Sequence, residues 1–127
     1  AEGGSAGVNG ASLVMGTIQS RVRVAVAART RAWLDGQLQE SARQFIEEPG
    51  YVAEELSVRL EQGQTLVLEK MACLYTSRDQ AISECGLAAR EAIGRLGRFE
   101  EVMSAHVLAW KQLWRRFDVR IETARAG

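Results

Sequence analysis

Only one histidine and two cysteines occur among the 127 residues, and that scarcity removes several classes of chemistry at the outset. A triad built on an imidazole base would have to use His106, with Cys73, Cys85 or a serine as nucleophile, and the spacing of these residues supports none. Cys73 and Cys85 lie outside any C-x-x-C or Cys/His pattern, so a structural metal is not expected. They read as reduced, buried thiols on different elements, which points to a reducing, cytoplasmic compartment. A charge excess is lacking too. Lysine plus arginine and aspartate plus glutamate both number 16, so no bulk field draws nucleic acid or an anionic membrane. Arg115, Arg116, Arg120 and Arg125 make the C-terminal end locally basic, but too sparsely for a nucleic-acid stripe; a solvated helix end accounts for them. No window reaches the roughly 18 to 20 continuous apolar residues that a bilayer-spanning helix requires, and the start lacks the charged-then-apolar pattern of a signal peptide. No lysine precedes Lys70, so the four glycines of Ala1–Gly10 are not part of a phosphate-cradling loop. Nor does any methionine precede Met15, and the expectation is a processed chain or, more naturally, a stretch excised from something longer.

What is present is the make-up of one globular core, 46% apolar and 25% charged. The glycine-rich opening, taken with the residues up to 12, reads as a flexible arm. From Leu13 to Thr30 the chain turns strand-like, and the alternation Arg21-Val22-Arg23-Val24-Ala25-Val26 predicts a strand with its three valines on one buried face. Between Trp33 and Pro49 the spacing of Leu38, Ala42, Phe45 and Ile46 fits either a helix or an excursion between strands. Pro49-Gly50 ends that stretch. Val52, Leu56, Val58 and Leu60 then share one parity with Glu54 as a single misfit, which predicts a half-buried strand. Gly63 within Glu61–Gln64 supplies a turn, and the run Thr65–Tyr75 follows, so the two strands read as a β-hairpin.

After the hairpin, Ser77 and Gln80 have capping-box spacing and predict a helix from about Arg78. Ile82, Cys85, Ala89, Ala92, Ile93 and Leu96 mark its buried stripe, with Gly97 placed for a left-handed cap. A second helix is predicted from Phe99 to Phe117, carrying Phe99, Met103, His106, Trp110, Leu113, Trp114 and Phe117 on one side. That stripe is too heavy for a helix pair to shelter and implies a broad docking surface. Asp118–Ile121 reads as a short extended exit. His106, amid aromatic residues, reads as a packing histidine. The doublets Glu47/Glu48, Glu54/Glu55 and Glu100/Glu101 do not converge on one bond, because neighbours point to opposite faces of a strand or about 100° apart on a helix. Glu100 and Glu101 suit the first turn of a helix through its dipole.

The string His106-x3-Trp110-x3-Trp114-x3-Asp118, preceded by Leu66-Val67-Leu68-Glu69-Lys70 and Tyr75-Thr76-Ser77-Arg78-Asp79, resembles the end of the N-terminal domain and the linker helix of glycoside hydrolase family 65, which includes maltose, trehalose and kojibiose phosphorylases. The resemblance is good from about Gly63 to Ile121, plausible from Leu13 to Thr30, and absent from the first ten residues. It implies an antiparallel β-sandwich domain, two linking helices and a downstream α/α barrel holding the active site. That barrel, its general-acid glutamate and its phosphate loop have no counterpart here. His106, Trp110, Trp114 and Asp118 carry over only as packing and linker positions.

The expected class is therefore α+β: an antiparallel sheet, part of a β-sandwich, over residues 13–76, then a helical linker with its extended exit over 77–127. No catalytic, cofactor-binding or metal-binding residue is assigned and no cofactor is expected. The expected partners are the catalytic barrel of a parent enzyme acting on α-glucosidic disaccharides and a second copy of the chain, the unpaired sheet edges and aromatic face favouring self-association. Nucleic acid and membrane are not expected partners. The alternative is a stand-alone module that binds protein or carbohydrate with its aromatic helix face.

Overall fold

In the computed structural model, residues 3–7, 10–40, 43–80 and 83–121 are described, with backbone only for 3–7. Among the described residues seven strands precede two helices, in the order β1 Gly3–Gly7, β2 Gly10–Gly16, β3 Arg23–Leu34, β4 Gln37–Gln39, β5 Arg43–Glu48, β6 Tyr51–Leu56, β7 Leu66–Thr76, α1 Cys85–Arg95 and α2 Phe99–Phe117. All pairings are antiparallel, so the expected α+β class holds. The chain divides into two compact units, Ala1–Leu96 and Gly97–Gly127.

In the first unit the twelve-residue β3 is the spine. Along one edge it pairs with β7 from Val24↔Thr76 to Leu34↔Leu66. Its other edge is shared end to end by β2, whose register stops at Ala11↔Ala28, and by β4, which starts at Ala32↔Gln39. β1 pairs β2 on its far side, so the glycine-rich opening contributes a strand where an arm was expected. Close approach explains one of its glycines. Gly10 has φ +110°, and a Cβ there would stand 2.1 Å from the carbonyl oxygen of Ala28.

The stretch between Trp33 and Pro49, open between helix and excursion on its spacing alone, consists of strand and turn in its described residues. Asp35 (φ 48°) and Gly36 (φ 81°) both have positive φ, the type I′ pattern that Asp-Gly favours, and they join β3 to β4. Asp35 also accepts a bond through Oδ1 from the Thr65 N–H at 2.9 Å, locking that corner to the start of β7. Pro49 and Gly50 (φ 77°) close a hairpin of β5 on β6, a separate two-stranded sheet. That hairpin lies against β1 and β2.

The hairpin expected between the Val52 strand and the Thr65 strand is not formed. β6 ends at Leu56, residues 57–60 run outside any ladder, and the turn at Gly63 (φ 87°) carries the chain from the small sheet to the large one. Alternation shows that a strand is half-buried, not which edge it will join, and β3 offers β7 an eleven-residue partner.

The parity of β3 is also opposite to expectation. Ala25 and Ala27, each 1% exposed, and Arg29 take the covered face, while Val24 and Val26 are half-buried on the other. The reason is α1, which contacts β2, β3 and β7. Its buried residues are Cys85, Gly86, Ala89 and Ile93, so small side chains face small side chains. A Cβ on Gly86 would come within 3.0 Å of Val14 Cγ2. On β3 the valines lost the covered face because a helix lying this close to the central strand favours small side chains at 25 and 27, while Val14 of β2 fits beneath Gly86.

α1 begins at Cys85, later than the expected Arg78. Ser77 instead closes the β3–β7 ladder: its N–H donates to the Arg23 carbonyl at 2.9 Å, and its Oγ accepts from the Arg23 N–H at 3.0 Å. Glu84 is the cap, accepting through its carboxylate from the Gly86 N–H at 3.0 Å and from the Leu87 N–H. These bonds hold its carboxyl below the usual carboxylate range, helped by Arg23 at 3.7 Å. Of the expected stripe, Cys85, Ala89 and Ile93 are buried, Ala92 and Leu96 half-buried, and Ile82 lies outside the described residues. Gly97 forms no left-handed cap; the helix ends on Leu96 in extended backbone.

Candidate interaction surfaces

Arg29 explains why no glycine cap is needed. From the covered face of β3 it donates through Nη1 to the Ile93 carbonyl at 2.9 Å and through Nη2 to the Leu96 carbonyl at 2.8 Å. Both are carbonyls that an α-helix leaves unsatisfied at its C-terminus, where a cation is also favoured by the dipole. Burial, with Arg31 adding to it, pulls the Arg29 guanidinium below its ordinary value, and Glu69 and Cys73 oppose the shift. Cys73, on β7 opposite Ala27, is half-buried rather than buried, and burial pushes its thiol up. It is therefore a poor thiolate. Cys85 is buried on α1, and both cysteines are free.

A cleft of about 570 Å³ opens where β3 has neither β2 nor β4 beside it, lined by Arg29, Thr30, Arg31, Arg43, Phe45 and Gly94 among others. Three guanidiniums in one cleft suggest an anion site, yet two of them are committed. Arg29 holds the end of α1, and Arg43 donates to the Thr30 carbonyl at 2.7 Å and pairs with Glu54. Glu54, the single misfit in the Val52 pattern, is thus the partner of Arg43 on β5, its side chain 8% exposed. The pair ties the small sheet to the gap in β3. Because the carboxylates of Glu54 and Glu69 already sit among these arginines, the cleft has the chemistry of a structural junction.

On the sheet face opposite α1 the apolar side chains range from half-buried to exposed. Leu13, Val26 and Leu74 stand in register across β2, β3 and β7, with Leu74 and Leu68 both more than half exposed. Monomeric surfaces seldom carry such a row without a use for it.

The second unit is built on α2, whose ends match the expected Phe99 and Phe117. Arg98 begins it with no side-chain cap bond, while Glu100 and Glu101 fill the first turn and Arg115 and Arg116 the last, each favourable with the dipole. His106 and Trp110 meet edge to face, with ring centroids 6.1 Å apart and planes at 67°. Trp114 lies one turn further on, its carbonyl accepting from the Asp118 N–H at 2.7 Å where the helix gives way to extended backbone. The four motif residues thus occupy successive turns of one helix and its exit. A shallow groove of about 290 Å³ runs along Met103, Ser104, Val107, Leu108 and Lys111. Among the described residues no helix is long and apolar enough to cross a membrane, and no three His, Cys, Asp or Glu side chains group as metal ligands.

With these surfaces in place, comparison with known proteins is specific. Residues 2–113 match the model of the glycosyl hydrolase family 65 N-terminal domain. The match takes in the glycine-rich opening, where the sequence motifs had shown no resemblance. Two relatives described as uncharacterized glycosyl hydrolases, from Mycobacterium tuberculosis strains CDC 1551 / Oshkosh and H37Rv, are each 37% identical over 100 residues. That stretch is 79% of this chain and 8% of either relative, so the chain spans less than a tenth of their length. No solved structure matches. The chain belongs to glycosyl hydrolase family 65, through the N-terminal domain of that family.

Proposed function

We propose that this chain serves as a non-catalytic scaffold for a family 65 enzyme acting on α-glucosidic disaccharides, joining and orienting neighbouring domains and supplying a dimer contact. The observation that carries this reading is the way polar chemistry is spent. Arg29, Arg43 and Glu54 each hold one element of the fold to another, and Glu84 caps the start of α1. The apolar groups, by contrast, are left facing outward on the open sheet face and along α2. A surface of that kind suits contact with more protein rather than bond breaking. In this reading the remaining domains of the enzyme cover the open sheet face, and His106, Trp110, Trp114 and Asp118 are packing and exit positions of the linking helix.

The test is an assay of the purified chain with maltose, trehalose and kojibiose, each with and without inorganic phosphate. No release of glucose or glucose 1-phosphate is expected from the chain alone. A second measurement removes the matching 100-residue stretch from one of the mycobacterial relatives, which is expected to lower its yield of soluble, folded protein sharply. Turnover by the isolated chain, or an unaffected truncated relative, would sink the proposal.

A further inference from the structure

We infer that the outer edge of β7 is an acceptor for one further β-strand, supplied by the part of a family 65 enzyme outside these 127 residues, apolar at alternate positions and acidic opposite Lys70. The inference rests on the reading of the chain as a scaffold and names what one border of its sheet receives.

The register fixes which groups are open. At the two ends of the β3–β7 ladder, the Asp35 N–H donates to the Thr65 carbonyl and the Ser77 N–H to the Arg23 carbonyl, both at 2.9 Å. Between them the pairing runs without a bulge from Val24↔Thr76 to Leu34↔Leu66. Main-chain groups of a strand alternate between its two edges, so the odd-numbered residues of β7 bond to β3 and the even-numbered ones direct their N–H and C=O groups away from it. Thr76 is closed by Asp79, whose Oδ2 accepts from the Thr76 N–H at 2.7 Å. Leu66, Leu68, Lys70, Ala72 and Leu74 remain, and among the described residues no main-chain hydrogen bond meets them on that side.

The other border of the sheet is built differently. β1 has five residues, three of them glycine, and the β5–β6 hairpin lies against it. Short length, cover, proline, bulges and charge are the features that keep a sheet edge from accepting strands. β7 has eleven residues, no proline and no bulge, and the one charge on its outward-bonding residues is Lys70, exposed at their centre.

That lysine decides the occupant. Pairing β7 antiparallel with the β7 of a second copy, in the register that uses every open group, would set Leu66 against Leu74 and Lys70 directly against Lys70. Like charges in that position are destabilising, whereas a carboxylate there would be stabilising. The side chains of the same residues lie on the face opposite α1, where Leu68 and Leu74 are 59% and 63% exposed. Apolar residues on an added strand would therefore extend the row formed by Leu13, Val26 and Leu74. The matching stretch is 8% of either mycobacterial relative, so a family 65 enzyme has ample further chain to furnish the strand. Edge and open face are contiguous, and one neighbouring segment covers both.

The experiment records amide hydrogen exchange residue by residue on the whole chain, alone and with overlapping synthetic peptides that tile the H37Rv relative outside its matching stretch. Alone, the N–H groups of Leu66, Leu68, Lys70, Ala72 and Leu74 should exchange far faster than those of Val67, Glu69, Met71 and Cys73. Peptides from one segment of the relative, carrying a carboxylate with apolar residues two positions to either side, are expected to slow the five open amides on the order of tenfold or more. Lys70→Glu should weaken that peptide about fivefold, and replacing the peptide's carboxylate by lysine should restore it. Methylating the peptide nitrogens that face β7 should abolish the protection. Protection by no peptide, protection without preference for the five amides, or indifference to methylation or to the charge exchange would each overturn the inference. None of these outcomes bears on the scaffold reading, which falls only to glycosidic turnover or to an unaffected truncated relative.

Discussion

The two helices follow one another in sequence and solve opposite problems. α1 has eleven residues and meets the sheet with glycine and alanine, its Ala89 wholly buried, and its C-terminal carbonyls are held by an arginine from the strand beneath. α2 has nineteen residues and carries two tryptophans, two phenylalanines and a methionine outward. Small side chains allow backbones to come close, so the gain comes from many short contacts and satisfied polar groups. Large aromatic side chains hold their gain in reserve until another surface covers them. Size of side chain, more than hydrophobicity, thus separates the helix that packs on the sheet from the helix whose aromatic side chains remain exposed.

The most direct way to break the comparison is to remove the arginine that makes α1 part of the sheet. Arg29→Met leaves two carbonyls of α1 without partners near the core, and a loss of about 3 kcal/mol is expected in urea unfolding. A measured loss below ~1 kcal/mol would mean that water replaces the guanidinium. Next in size is Gly86→Val, which pushes side-chain atoms against Val14 and is expected to cost about 2 kcal/mol through overpacking. The same substitution at Gly94, where a Cβ meets nothing within 4 Å, should be milder.

Acid should act on the start of α1. The Glu84 carboxyl is held below its ordinary value in the folded chain. Its contribution is therefore complete above the unfolded carboxylate pKa of about 4.3 and fades as pH falls through the lower folded value. Thermal unfolding between pH 3 and 7 should show this loss, and Glu84→Gln should flatten that part of the profile. The smallest effect is expected at the aromatic stripe. Trp110→Phe with Trp114→Phe leaves Trp33, buried in β3, as the remaining tryptophan. Its fluorescence should report an unfolding midpoint for the sheet unit within ~0.5 kcal/mol of the parent's. A larger drop would show that the sheet unit depends on the indoles of α2.

Legibility in the sequence followed the range of the interaction concerned. Asp35-Gly36 was a readable hairpin turn that apolar spacing from Leu38 to Ile46 obscured. Glu54 stood out as a misfit on an apolar parity, and a buried carboxylate at such a place calls for a cation, but nothing nearby in sequence named Arg43. Arg29 gave no signal at all, since an arginine on a strand is ordinarily a solvent-facing residue. Ser77 and Gln80 had capping-box spacing, yet Ser77 serves the sheet because Arg23 offers it a backbone partner 54 positions away.

The amino-acid order alone determined α2 from Phe99 to Phe117, the turns at Gly50 and Gly63, the α+β class and the family, since each depends on residues within a few positions or on a motif read directly. Tertiary structure alone decided that β7 joins β3, that the alanines of β3 rather than its valines lie under α1, and that arginines cap a helix and bridge two sheets. Those outcomes depend on which distant surfaces compete for the same edge or the same volume, and periodicity along a chain contains no term for that competition.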